Sequence, residues 1–313
     1  MKTVAVVLFP GFEILDLAIT TVFELANGEL GRPAYRQVRL SEDGGPVASS
    51  SGATVDSRRF RIDDIDTVLV MGSITAPSAT PAMQRFLQRA QRSSSRIASI
   101  CTGAFLLAQA GVLDGRRATT HWAVTQELQN RHPQIKVLPD HIFVKDGNVW
   151  SSAGMTACID LGLALVEEDH GVDLARAIAK KMVVYHRRTS GQSQFSALLE
   201  LDPKSDRIQK ALTHVRANLR DRLSVEDLAE VAHLSARQFS RMFKAATGQA
   251  PAHAVEKLRV EAARNLIDAG ELPLAVVAKE TGFGDPDRMR RAFVRTLGQP
   301  PQTIRRVARQ QAA

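Results

Sequence analysis

The chain opens with a short apolar run, Val4–Phe9, closed by Pro10-Gly11, and runs of this kind recur. Thr67–Met71 (TVLVM) is the second, ended by Gly72. Ile97–Ile100 is the third, followed at once by Cys101-Thr102-Gly103. Continuous apolar character bounded by turn residues predicts strands buried on both faces. Between these runs the spacing becomes helical, over Ile14–Leu25, Pro81–Arg92 and Ala104–Ala110. Ile135–Leu138, His141–Lys145 and Val149–Ser151 read as further strands, and Thr156–Glu168 as a further helix. Strands interleaved with helices predict an α/β domain with a mostly parallel sheet.

After about Thr189 the pattern changes. Thr189–Gln194 is small and polar, and the stretch from Leu201 to Asp206 reads as a connector. This places a first domain at residues 1–190, a linker at 191–206 and a second domain at 207–309. The second domain has no strand pattern. Ile208–Leu219 is helical, Ser224-Val225-Glu226-Asp227 has the form of a capping box, and Pro251–Ala269 is a long helix closed by Gly270. It is expected to be all-α.

This second domain contains a weak duplication. Leu223, Leu228 and Ala229 recur as Leu272, Val277 and Ala278, and Phe243, Gly248, Gln249 and Pro251 recur as Phe293, Gly298, Gln299 and Pro301. Each copy reads as a helix, a short turn, a second helix and then Gly-Gln-x-Pro, which is a helix-turn-helix unit. The turn is Ala232-His233-Leu234 in the first copy and Gly282-Phe283-Gly284 in the second, where Asp285 is the N-cap and Pro286 the first helical residue. Apolar residues of the second helices fall on one side: Phe239, Met242, Phe243 and Ala246, then Met289, Ala292, Phe293 and Leu297. Arg237, Ser240, Arg241 and Lys244 face away in the first copy, and Asp287, Arg288, Arg291 and Arg295 in the second. Such a helix fits the major groove, where arginine reads guanine and other polar groups hold phosphates. The long helix between the copies spans roughly 28 Å, close to one turn of duplex once its flanks are added.

Charge sharpens this division. The 313 residues carry a net charge of +8, from 41 Lys+Arg and 33 Asp+Glu. Residues 1–202 hold 21 of each sign, so the whole excess lies beyond them. A neutral body with a basic tail domain points to a polyanion partner for the tail. No apolar run approaches the roughly 20 residues that span a bilayer. Cys101 and Cys158 form no disulfide framework, and His132, His170 and His186 lack ligand spacing, so neither a metal nor a cofactor is expected. A cytoplasmic protein with reduced thiols is the expectation.

Residues 205–308 resemble the AraC/XylS-type DNA-binding domain through LSVEDLAEVAHLSARQFSRMFKAATGQAP and TGFGDPDRMRRAFVRTLGQPP. Residues 1–190 resemble the flavodoxin-like class I glutamine-amidotransferase-like superfamily through LFPGFEILDLA, SICTGAFLLAQAGVLDGRRATTHW and SSAGMTACIDLGLALVEEDHG. In this order the two are similar to GlxA-like AraC-family regulators over nearly the whole chain. The resemblance implies seven helices in the reading domain, promoter DNA as partner, activation through RNA polymerase, and a small-molecule effector bound by the first domain; a homodimer is expected because a symmetric pair doubles the DNA footprint.

For that first domain the candidate site is Asp16, Gly72, Ser73, Cys101, Thr102, His121 and Met155. Cys101 sits on a strand-to-helix turn, a geometry that presents a side chain to helix N–H groups and favours a thiolate. In the related isonitrile hydratases this position is the nucleophile and an acid in the first loop is needed; Asp16 and Thr102 match that pattern. Against turnover, Thr102 stands where protease-like relatives have histidine. Gly72-Ser73 also stands where many enzymes of the superfamily have the Gly-Gly of an oxyanion hole. Cys101, Asp16 and Thr102 are therefore read as vestigial, and the domain as a sensor rather than an enzyme. The rival readings are a cysteine-dependent hydratase or amidase, and a thiol redox sensor, each joined to a DNA-binding domain. Cys158, in an apolar helix, is expected in the core. Trp122 and Met155 either line a pocket or pack.

Overall fold

The computed structural model describes residues 1–61, 64–139, 141–184, 188, 201, 205–269 and 272–312. The chain divides into two compact units, Met1–Gln194 and Phe195–Ala313. Most of the linker expected at 191–206 lies outside the described residues.

The first unit is built on β1 (Lys2–Val7), β2 (Tyr35–Ser41), β3 (Gly45–Ala48), β4 (Thr54–Arg59), β5 (Thr67–Val70), β6 (Arg96–Ile100), β9 (Phe143–Asp146) and β10 (Val149–Ser152). Their order across the sheet is β3-β4-β2-β1-β5-β6-β10-β9. The central pairings are parallel, and only the edges, β3 on β4 and β9 on β10, are antiparallel. Residues of β1 alternate between two cores, because successive side chains leave a strand on opposite faces. Val4 and Val6 join α1 (Ala18–Leu30), α5 (Ala157–His170) and α6 (Val172–Lys181) on one face. Ala5 and Val7 join α2 (Pro81–Ser93), α3 (Gly103–Gln109) and α4 (Thr125–Arg131) on the other. The result is a doubly wound, flavodoxin-like sheet.

Several expectations shift. The helix expected over Ile14–Leu25 is a 3-10 turn, Ile14–Leu17, followed by α1. The strand expected over Ile135–Leu138 shrinks to β8 (Lys136–Val137) and pairs with β7 (Arg117–Ala118), outside the main sheet. β2, β3, β4 and α6 have no counterpart in the sequence reading. β3 and β4 lie at the solvent-facing edge, so their sequences, GPVA and TVDSRR, lack an apolar run.

The second unit is all-helical: α7 (Asp206–Ala217), α8 (Val225–Val231), α9 (Ala236–Thr247), α10 (Pro251–Ala269), α11 (Leu274–Glu280), α12 (Pro286–Leu297) and α13 (Pro301–Ala312). The duplication reappears as matched caps. Ser235 accepts from the Gln238 amide and Asp285 from the amides of Asp287 and Arg288, while Gly248 and Gly298 close α9 and α12 in the left-handed conformation. Each copy has its own small core. Ala254, Val255 and Leu258 of α10 pack with the first copy, and Val260, Ala263 and Ile267 of the same helix pack with the second.

Candidate functional site

The sheet places its first candidate site where four parallel strands end. Cys101 follows β6 at φ +52°, so the expected elbow is present. The turn is pinned on both sides: the Cys101 amide donates to the Ser152 carbonyl at 3.1 Å, and the Thr120 hydroxyl donates to the Cys101 carbonyl at 2.7 Å. Glycines wall the side chain. A Cβ at Gly72 would lie 2.7 Å from Cys101 Cβ, and one at Gly154 only 2.1 Å from it.

Asp16 enters from the loop after β1 and is fully buried. Its Oδ2 accepts the Gly72 amide at 2.8 Å, and the Met155 amide also favours the carboxylate. Burial pushes its pKa up to about 7, opposed by the Gly72 hydrogen bond and reinforced by Glu13. Glu13 was not foreseen, although it stands three residues before Asp16 in the same segment. Its carboxylate accepts from the Leu15 amide and the Ser50 hydroxyl, both at 3.2 Å, which holds the loop over the strand ends.

The thiol departs from expectation. An elbow alone favours the thiolate, but Cys101 is only 4% exposed and its pKa is pushed up to about 12. Burial is the main cause, and the Asp16 charge adds to it, against a smaller opposing effect of the Thr102 amide. The oxyanion-hole amides are also spent. Gly72 N–H is given to Asp16, and Ser73 N–H donates to Thr102 Oγ1 at 2.7 Å, whose hydroxyl donates back to the Ser73 carbonyl at 2.8 Å. Thr102 is thus a clasp on Ser73. His121 uses Nδ1 to accept the Ala123 amide at 3.4 Å, capping its own turn, and burial lowers its pKa. Asp16, Gly72, Ser73, Cys101 and Thr102 are brought together, with Met155 beside Gly154 and partly exposed. Leu15, Ile74 and Trp122, next in sequence to Asp16, Ser73 and His121, are 42%, 65% and 56% exposed. Cys158 is core, with its thiol directed to the Leu15 carbonyl at 3.8 Å.

Asp16 gives a pH signature. A carboxyl raised from its ordinary value to about 7 in the fold keeps its proton while the unfolded chain loses it. Stability from this group is therefore greatest at low pH and falls as pH climbs from about 4 to about 7. Asp16→Asn keeps an acceptor for Gly72 and has no charge to bury. Its stability advantage over wild type should grow toward pH 7 and level off above it. Urea unfolding at pH 5, 6, 7 and 8 measures this, and a constant difference between the two proteins would show that Asp16 ionises normally.

The second candidate site lies on α9 and α12. Phe239 and Phe243, then Met289, Ala292 and Phe293, are buried, whereas Arg237, Arg241, Lys244, Asp287, Arg288 and Arg291 are exposed and Ser240 half-buried. Ala246, expected on the core side, is exposed. Arg295 also differs from its expected part. Its Nη2 donates to Glu256 Oε2 at 2.6 Å and its Nε to Oε1 at 3.2 Å, so its charge is matched within the unit. Sequence reading missed a junction between the copies. Arg259 on α10 donates to the carbonyls of Leu219 and Asp221 at 3.0 and 2.7 Å, and Gly282 packs against both Arg259 and Leu219.

Comparison with known proteins agrees with this division. Residues 2–168 match the DJ-1/PfpI family, and residues 228–307 match a helix-turn-helix domain. The chain is 29% identical over 310 residues to the HTH-type transcriptional regulator GbdR of Pseudomonas aeruginosa, covering 97% of this chain and 84% of that one. It is 29% identical over 313 residues to the HTH-type transcriptional regulator GlxA of Rhizobium meliloti, covering 98% and 96%. Among solved structures, an AraC family transcriptional regulator from Pseudomonas putida aligns with a TM-score of 0.54 at 23% identity, over 58% of this chain and 100% of that one, a likeness of fold. With the elbow and sheet of its first unit and the duplicated helical reader of its second, the chain belongs to the DJ-1/PfpI family and carries a C-terminal helix-turn-helix domain.

Proposed function

We propose that this protein is a sequence-specific transcription regulator whose second unit binds promoter DNA and whose first unit binds a small-molecule effector at the Asp16–Cys101 elbow. The observation that carries the reading is the pair α9 and α12: two helices with matched caps, each anchored by aromatic core residues and each presenting exposed arginines. Arg237, Ser240, Arg241 and Lys244, with Asp287, Arg288 and Arg291, supply base and phosphate contacts. The effector acts by its difference in affinity for two arrangements of the protein, and a homodimer doubles the DNA footprint. Activation through RNA polymerase and a cytoplasmic location complete the reading; no helix among the described residues is long and apolar enough to cross a membrane.

The elbow supports binding over turnover. A nucleophile needs a thiolate and a free pair of amides for the oxyanion. Here the thiol pKa is pushed up to about 12, and both amides are held by side chains. The same burial disfavours a peroxide sensor, which depends on an exposed thiolate. The exposed Leu15 and Ile74, next in sequence to Asp16 and Ser73, supply apolar surface for an effector.

The test is DNA binding by the full chain to a duplex site selected from random sequence. Arg241→Ala and Arg291→Ala should each cost about 1–3 kcal/mol and relax preference at the base pairs they face. Unchanged affinity and preference in both variants would remove α9 and α12 from the grooves.

A further inference from the structure

The first unit is neutral in sum, yet its arginines are not spread evenly. A groove of about 430 Å³ runs between α2 and the segment following β4, lined by Arg59, Arg61, Arg85 and Arg89, with Glu42 as the one acid in its wall among the described residues. Its floor is rigid: Phe60 and Phe86 stack with ring centroids 4.4 Å apart and planes within 13°, and Phe86 is buried in the core with Met83, Leu87 and Ala90. Arg92 continues the line, since positions 85, 89 and 92 share one face of α2.

Other arginines of the unit are held in ion pairs. Arg96 is held by Asp169, Arg117 by Asp146, Arg131 by Glu127 and Arg188 by Asp160. Arg59, Arg85, Arg89 and Arg92 are exposed and, among the described residues, have no carboxylate within ion-pair distance. Glu42 is turned to another partner, accepting the Thr80 hydroxyl at 2.5 Å. Like charges one helical turn apart repel, and among the described residues Glu42 is the only acid lining the groove to offset them. An anion laid along the groove would offset them further.

We propose that this groove is a second DNA site, holding the phosphate backbone of duplex that flanks the helix-turn-helix contacts. Guanidinium groups bind phosphate through paired hydrogen bonds. Arg85 and Arg89 are about 6 Å apart along the helix axis, and one strand of duplex presents a phosphate about every 3.4 Å, so the two arginines meet different phosphates. The reader on the same chain keeps flanking duplex at high local concentration, so contacts too weak to bind DNA alone still add to affinity. The proposal rests on the reading that the second unit binds DNA.

The experiment uses the full chain and a site selected with it from random DNA. That site is placed in two duplexes, one covering two helical turns, about 21 base pairs, and one three times as long with neutral flanks. Wild type should bind the long duplex about tenfold more tightly, with a steeper salt dependence. The triple variant Arg59→Ala, Arg85→Ala, Arg89→Ala should lose that advantage, with its salt slope on the long duplex lower by about 2–3, and should keep wild-type affinity for the short one. The replaced side chains are exposed, so an unchanged melting temperature is the check on folding. A triple variant that keeps the length advantage, or that weakens equally on both duplexes, overturns the proposal. So does stabilisation of wild type but not the variant by inorganic pyrophosphate with the length advantage intact, because the groove would then serve a small phosphate ligand. Wild type that binds neither duplex would refute the helix-turn-helix reading itself.

Discussion

Alanine at position 154 is expected to be the most damaging single substitution in the first unit. Gly154 has φ +93°, and a Cβ there would lie 2.1 Å from Cys101 Cβ and 2.6 Å from its Cα. These atoms cannot retreat as the tip of a flexible side chain could. Cys101 is itself at φ +52°, its amide is bonded to Ser152, and its carbonyl is bonded to Thr120. Overpacking and an unfavourable backbone conformation act together, for an expected loss of about 3 kcal/mol or more. Gly147→Ala separates the two contributions. Gly147 is also left-handed, at φ +63°, but its new methyl would meet only the end of the Arg116 side chain at 3.4 Å. Its expected cost is about 1 kcal/mol. Urea unfolding of the full chain compares them, and equal losses would sink the packing argument.

Gly282→Ala should produce the largest loss of DNA binding. A methyl there would lie 2.0 Å from the Leu219 carbonyl oxygen and 2.8 and 2.9 Å from Nε and Nη2 of Arg259. Leu219 belongs to the loop between α7 and α8 of the first copy, Gly282 to the turn before α12 of the second, and Arg259 to the helix that joins them. The junction therefore fixes how the two reading helices are set against each other. Forcing it apart moves α9 and α12 out of step with successive grooves. We expect specific affinity to fall about a hundredfold or more, which is about 3 kcal/mol and exceeds the typical effect of removing one base contact. Gly284→Ala is the control, with φ +82° and nothing within 4 Å of the added methyl. It should lower stability modestly and leave the affinity of the folded protein unchanged. Circular dichroism at the assay temperature confirms that both variants are folded. If Gly282→Ala binds DNA as Gly284→Ala does, the junction does not set the spacing.

The two copies show how far local pattern carries. His233 and Gly282 occupy equivalent places in the duplicated turns, and both are left-handed, at φ +54° and +75°. Histidine tolerates that conformation better than most side chains, so the turn itself does not dictate glycine in the second copy. The neighbouring Leu219 carbonyl does, and it lies far away in sequence. The same limit explains a missed inner strand. Tyr35–Ser41 (YRQVRLS) mixes arginines among its apolar residues, and only pairing with β1 identifies it as a strand.

The sequence by itself determined two units of different class, the strand-to-helix elbow at Cys101, the duplicated reader with its caps, and the separation of neutral from basic halves. Periodicity, caps and charge counts are local properties, so a chain displays them without being folded. Tertiary structure alone decided the state of the thiol, the loss of the oxyanion amides and which arginines keep an unmatched charge. Asp16 reaches Gly72 across 56 residues, and Glu256 reaches Arg295 across 39. Burial and pairing depend on such distant partners. The elbow therefore fixed where Cys101 stands, while its surroundings fixed that it stays a buried, protonated thiol.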